Sequence, residues 1–359
     1  MSPDPAVRPN DLNQHPNPLS TIHNSSMLLT ALPAIPLIQP GDNLAGIILT
    51  ALERAGLQLA SGDILVLAQK IVSKAEGRLV NLSTVVPSPR AKELALQAEK
   101  DPRLVELILR ESRTVLRVRP GTIIVEHRLG FVCASAGIDH SNVISPLPKG
   151  LESRQVAPLI PPAPLLSPKK GEKRGVETGN LGVGGSGGTE HRSAAQNTQI
   201  SDISPFPHLG EGDRGWGYQP LNPEGEEMKA EDWMLLLPED PDASAARIRQ
   251  QLEAASGERI GVLIIDSHGR AWRLGVVGTA IGFSGLPGLV DMRGQPDLFG
   301  YQLRITLIAA ADELAAAASL VMGQAAEGTP VIHVRGFPYP LQEGSLKELL
   351  RPHDQDMFR

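Results

Sequence analysis

The sequence holds one cysteine, Cys133, among 359 residues, which excludes an internal disulfide and any zinc cage built on thiolates. No run reaches the roughly 20 apolar residues of a bilayer span; the richest early one, Leu28 to Ile38, is broken by Pro33 and Pro36. The opening MSPDPAVRPNDLNQHPNP lacks the charged-then-apolar pattern of a secretory signal. Basic excess is missing as well: 34 Lys+Arg stand against 40 Asp+Glu, a net charge of -6, so there is no broad positive field for nucleic acid. Anionic ligands therefore need locally placed Lys, Arg or metal. There is no Walker A pattern and no H-E-x-x-H, so neither a P-loop nor a zinc hydrolase is supported. Gly182-Val-Gly184-Gly-Ser-Gly187 matches the dinucleotide fingerprint, but no strand precedes it and no helix follows. The expectation is a soluble, cytoplasmic protein without nucleic-acid or membrane partners.

What is present is ordinary globular composition, 41 % hydrophobic and 21 % charged, long enough for two compact blocks. Residues 1–26 are polar and rich in Pro, Asn and Ser, and read as a disordered tail. Residues 144–231 contain 11 prolines and 14 glycines in 88 positions, a share of 28 % that marks a low-complexity, disordered insertion. The folded blocks are then 27–143 and 232–340, with 341–359 as a C-terminal tail. In the first, Asp42 is a candidate N-cap for an amphipathic helix ending near Gly56, and Asp63 to Ala68 is a buried strand running on into Gln69–Lys74. Asp101-Pro102 opens another helix, and Thr122–Val125 and Phe131–Ala134 read as strands joined by a turn. In the second, Asp240-Pro241 starts a helix, Arg259–Ile265 is a strand ending at Asp266, and Asp312–Met322 is an Ala-rich helix closed by Gly323. Strands and helices mixed in both blocks predict an α/β or α+β fold of two mixed-sheet lobes interrupted by the insertion.

Two acidic signatures, Gly137-Ile-Asp139-His-Ser-Asn142 and Asp266-Ser-His-Gly-Arg270, follow apolar runs. Carboxylates at such a rim, with hydroxyl and amide oxygens nearby, suit magnesium or manganese whose other ligands are phosphate oxygens. The same aspartates also suit plain turn or cap roles. Lys70 and Lys74, on one side of an extended chain after a buried strand, either face an anionic ligand or protect a sheet edge. His140 and His268 beside the two carboxylates read as polar lining rather than ligands.

The segments IPLI (35–38), QKIVSKAEGR (69–78), GFVCASAGIDHSN (130–142), LLPEDPDASA (236–245), DSHGRAWRLG (266–275), TAIGFSGL (279–286), DMRGQPD (291–297) and ADELAAAASLVMGQ (311–324) occur in one order that resembles the coenzyme F-420-0:L-glutamate ligases. The resemblance implies an α/β fold in an intertwined homodimer that adds γ-linked glutamate to a deazaflavin precursor. It further implies GTP as co-substrate, a manganese or magnesium ion, and potassium as an activator. By motif, it places Ile35, Pro36, Leu37, Ile38, Gln69, Lys70, Lys74, Asn142, Val321, Met322, Gly323 and Gln324 against GTP. Asp139, Asp266, Ser267 (where the family often has Thr) and Gly323 would hold metal, and Asp139, Asp266, Lys70 and Lys74 would carry the chemistry. The family's short link between the two halves is here replaced by the long insertion, and no room is left for the C-terminal flavin-reductase-like domain of some bacterial relatives. Two rival readings remain: another metal-dependent phosphate enzyme such as a hydrolase or kinase, and a non-catalytic nucleotide- or partner-binding protein.

Overall fold

The computed structural model describes residues 26–140 and 232–356. The first stretch runs β1 (Leu28–Ala31), α1 (Leu44–Arg54), β2 (Ile64–Ala68), α2 (Gln69–Ala75), β3 (Leu79–Asn81), α3 (Pro89–Ala98), α4 (Pro102–Arg110), β4 (Ser112–Arg119), β5 (Thr122–His127) and β6 (Val132–Ala134). The second runs β7 (Trp233–Leu235), α5 (Pro241–Ser256), β8 (Gly261–Arg270), β9 (Arg273–Ser284), β10 (Val290–Asp291), β11 (Leu307–Ile308), α6 (Ala310–Met322) and β12 (Val331–Arg335).

The central sheet has the order β1-β12-β2-β8-β9, so the fold is mixed α/β and both halves of the chain build one sheet. β2 and β8 run parallel, Ile64 opposite Gly261 through Ala68 opposite Ile265, and the other neighbours are antiparallel. A parallel pair is buried on both faces, which is why Ile-Leu-Val-Leu is apolar without interruption. Its alternate residues feed different layers: Leu65 and Leu67 pack with α1 and α5, Ile64 and Val66 with α6. Each such fully buried side chain contributes about 1.5–3 kcal/mol. Against the central sheet lies a second one, β4-β5-β6, covered by α3 and α4; a short β3-β7 ladder joins the two halves again.

Local chemistry sets the helix starts. Asp101 and Asp240 each accept a hydrogen bond from the first turn, 2.7 Å from Arg103 N and 3.0 Å from Ala243 N, with proline next in sequence. The cap of α1 is Asn43, one residue later than expected. Asp42 instead accepts Gln39 N–H at 2.7 Å and closes the preceding turn, leaving Asn43 to accept Gly46 N–H. Residues 69–75 are helical, not extended, so Lys70 and Lys74 share a side through the four-residue repeat of a helix. β8 continues past Asp266 to Arg270, because β9 goes on pairing with it after β2 has ended.

Residues 341–356, set apart above as tail, pack back on the core: Leu346 is buried and Glu348 accepts Gly288 N–H at 3.0 Å. At the far end of β2, buried Asp63 is bound by Arg335 (2.9 and 2.7 Å), His333 (2.8 Å) and Ala60 N–H (2.9 Å). Burial pushes its carboxyl up, but these bonds together outweigh it and hold the group well below the usual carboxylate range.

Candidate functional site

β2, the middle strand of the central sheet, turns directly into α2 at its C-terminal end, so Gln69 enters the helix buried, 1 % exposed. Gln69 Nε2 donates to Asp139 Oδ2 at 2.9 Å, and Ser73 Oγ, one turn on, donates to Gln69 Oε1 at 2.9 Å. Both ends of the amide are engaged, which fixes its orientation. Ser73 was not singled out from the sequence because its pairing with Gln69 exists only if the segment is helical. Lys70 Nζ stands 3.4 Å from Asp139 Oδ2. Burial lowers the Lys74 ammonium most, the charge of Lys70 lowers it further, and Asp139 opposes both.

Asp139 is placed by an unusual approach. Ser135, Ala136 and Gly137 all have positive φ (49°, 53° and 64°), and Asp139 then exchanges both backbone bonds with Leu235, at 2.9 and 2.8 Å. A Cβ on Gly137 would come within 2.7 Å of Leu237, so only glycine fits this turn. Burial raises the Asp139 carboxyl above its ordinary range; Lys70 and Gln69 lower it, while the negative charge of Asp266 raises it again. The two aspartates, 127 positions apart in sequence, therefore share one electrostatic environment.

Asp266 sits on β8 just beyond the last residue paired with β2, where the strand changes from buried to half-buried. His268 Nε2 lies 3.1 Å from its Oδ2. Cys133 borders the same region, but burial first, and Asp266 second, push its thiol up to about 12, so it is no nucleophile at neutral pH.

A family model described as F420-0:Gamma-glutamyl ligase matches residues 34–158 and 221–336. The Coenzyme F420:L-glutamate ligase of Methanothermobacter thermautotrophicus is 36 % identical over 92 % of this chain and 98 % of its own length. That of Methanopyrus kandleri is 37 % identical over 90 % of this chain and 93 % of its own, and that of Methanocaldococcus jannaschii 33 % over 84 % and 86 %. The chain belongs to the F420-0:gamma-glutamyl ligase family. Every residue singled out above for the chemistry lies inside the spans matched to this ligase family, whereas 159–220 lies outside them.

The remaining positions of the ligase reading are distributed as follows. Ile35 to Ile38 form the loop after β1, with Ile38 buried and Leu37 exposed; Gly41 N–H of the same loop donates to Ala75 O at 2.8 Å, tying it to the end of α2. Ser267 pairs with Gly278, and a Cβ on Gly278 would strike Ala315 O of α6 at 2.4 Å. That face of β8 therefore belongs to α6, and alternation puts the Ser267 side chain there, opposite Asp266. Val321, Met322, Gly323 and Gln324 close α6; Gly323 has φ 76°, and Gln324 Nε2 donates to Ser319 Oγ at 2.9 Å. Within one subunit the sheet thus separates Ser267 and α6 from the Gln69, Lys70, Asp139 and Asp266 group. Asn142 lies outside the described residues.

Among the described residues no three of His, Cys, Asp or Glu converge as a ready-made metal cage. What is present is the half-buried Asp139 carboxylate, raised first by burial and further by the negative charge of Asp266; these are hard oxygen donors whose charge a divalent cation would offset. This donor set fits magnesium or manganese completed by phosphate oxygens. A surface hollow of about 510 Å³ between α3 and α4, lined by Lys92, Leu96 and Lys100 among others, contains none of these residues. Among the described residues no helix is long and apolar enough to cross a membrane.

Proposed function

We propose that this chain is a GTP-dependent ligase that joins a carboxylate of the deazaflavin precursor of coenzyme F420 to the α-amine of L-glutamate. The observation that carries the reading is that Asp139, hydrogen-bonded to Gln69 and beside Lys70, lies within reach of the charge of Asp266, in a chain of this ligase family. Amide formation from a carboxylate is uphill in water, so the carboxylate is first activated. One of its oxygens attacks the γ-phosphorus of GTP, the bond to the β,γ-bridging oxygen breaks, and GDP leaves an acyl phosphate behind. The glutamate amine then attacks the acyl carbon, the bond to the phosphate oxygen breaks, and phosphate and a proton depart.

The protein's part is positioning and charge. Asp139 and Asp266 would hold the manganese or magnesium ion, which when bound would offset the charge of the phosphate oxygens. Lys70 and Lys74 lie along the same helix side to meet further phosphate oxygens, and Gln69, clamped by Ser73, keeps Asp139 in place. The loop 35–38 and the end of α6 at 321–324 would border the nucleotide, and Ser267 and Gly323, across the sheet from the two aspartates of their own subunit, would add metal contacts from a second copy of the chain. Because the sheet separates α6 from the two aspartates, a second copy of the chain fits the reading. Strongly exposed apolar side chains support that homodimer: Trp272 (90 %) and Leu274 (70 %) on the β8–β9 hairpin, and Leu298 (98 %), Phe299 (95 %) and Ile305 (88 %) before β11. The cytoplasm, where GTP and glutamate are abundant, is the proposed compartment.

The test is incubation with the precursor, GTP, manganese and glutamate, followed by mass analysis. A gain of one glutamate residue or a ladder of them, only when glutamate is supplied, is expected. GTP consumption with no glutamylated product would replace the ligase by the hydrolase or kinase reading.

A further inference from the structure

His268 has no part in the chemistry above, yet it is held with care. The two-residue repeat of β8 puts it on the face of Asp266, and both side chains are nearly buried, 12 % and 10 % exposed. A carboxylate can only accept, so His268 Nε2, 3.1 Å from Asp266 Oδ2, carries the proton and donates it. The imidazole is braced from the β4-β5-β6 sheet. Phe131, entering β6, leans on it with 5.2 Å between ring centroids and 46° between planes. Phe131 is stacked in turn on His127, at 5.2 Å and 6°. His127 is itself buried, and its Nδ1 accepts Leu129 N–H at 3.0 Å, which fixes the ring. Three rings in series thus connect a separate sheet to one oxygen of one carboxylate.

We propose that His268 is a positioning residue for Asp266: the ring series holds Nε2–H on Oδ2, which sets the plane of the carboxylate that would hold the divalent cation. The assignment rests on Asp266 being a metal ligand. Carboxylate ligands are commonly oriented by such outer hydrogen bonds, and losing one typically costs about 10–100-fold in metal affinity.

The experiment measures Mn2+ affinity of the full chain, with a non-hydrolysable GTP analogue present, from the paramagnetic resonance signal of unbound Mn2+. Glutamine at 268 carries an amide nitrogen about as far from the backbone as imidazole Nε2, whereas phenylalanine keeps the ring on Phe131 and removes the donor. His268→Phe is expected to weaken Mn2+ binding about 10–100-fold, and His268→Gln to stay within about threefold of the parent. Parent-like affinity in His268→Phe overturns the proposal, as does His268→Gln binding as weakly as His268→Phe. Imidazole nitrogen coupling in the bound Mn2+ spectrum also overturns it, because His268 would then be a ligand itself. If Asp266→Ala keeps parent-like affinity, the metal reading fails first and takes the positioning role with it.

Discussion

Replacing Asp139 with asparagine should move activity and stability in opposite directions. In the metal-free protein the ionised carboxylate is half-buried and feels the charge of Asp266; Lys70 and Gln69 compensate only in part, leaving the carboxyl above its ordinary range. A folded pKa raised above the unfolded value means that the group favours the folded state when protonated, and that this contribution is lost as pH rises through the folded pKa. At pH 7 the charged form is therefore a net cost. Asparagine removes that cost and still accepts from Gln69 through its own carbonyl oxygen. What it loses is one half-buried ion pair, Lys70–Asp139 at 3.4 Å, a class worth about 0.2–1 kcal/mol. The expected balance is a gain of roughly 0.5–2 kcal/mol, the usual size when a functional site is relaxed. For a protein of this size each kcal/mol gained raises Tm by about 2–4 °C. The gain should vanish below about pH 4, where both states of the parent are protonated. Glutamate ligation should meanwhile fall about 10²–10³-fold, the size expected for one lost electrostatic stabiliser. Calorimetry in EDTA and the mass assay read the two effects. A metal-free variant that melts below the parent, or one that turns over at the parent's rate, would refute the reasoning.

Three other perturbations have defined outcomes. Asp63→Asn should cost roughly 2–4 kcal/mol in urea melts at pH 7, because His333 and Arg335 lose the buried charge they bind. Since the Asp63 pKa is depressed, the stability it supplies is present above about pH 4 and fades as pH falls, so parent and variant should converge in acid. Gly278→Ala should destabilise by about 1–3 kcal/mol, because its Cβ would lie 2.4 Å from Ala315 O and 2.5 Å from Ser319 Cβ, pushing α6 off β9. Removing residues 159–220, outside the spans matched to the ligase family, should leave glutamylated product forming at the parent's rate; its loss would favour the partner-binding reading.

Much of the fold was legible where one local rule dominates. The uninterrupted apolar run after Asp63, the Asp-Pro starts of α4 and α5 and the Ala-rich stretch of α6 all appear as read. The failures have equally local causes. Gln69–Lys74 reads as a continuation of β2 because Ile71 and Val72 are β-formers, yet it is a helix whose apolar side packs into the core. Asp266 was expected at a strand end because burial stops there; a strand can outlast its burial when one neighbour continues, as β9 does. The sharing of one sheet by both halves was not legible at all. Parallel pairing of β2 with β8 spans almost 200 residues, and no periodicity encodes it. The aspartates were named from motif and resemblance, but their shared environment comes from tertiary packing. Nothing in the spacing of Phe131, His127 and His268 signals a ring series.

The most direct measurement is an anomalous difference map at the manganese absorption edge, from crystals grown with Mn2+ and GTP. The account predicts a peak within coordination distance, about 2.0–2.2 Å, of carboxylate oxygens from both Asp139 and Asp266, with phosphate oxygens completing the shell. A manganese peak that is bound to the triphosphate and touches neither aspartate would contradict it.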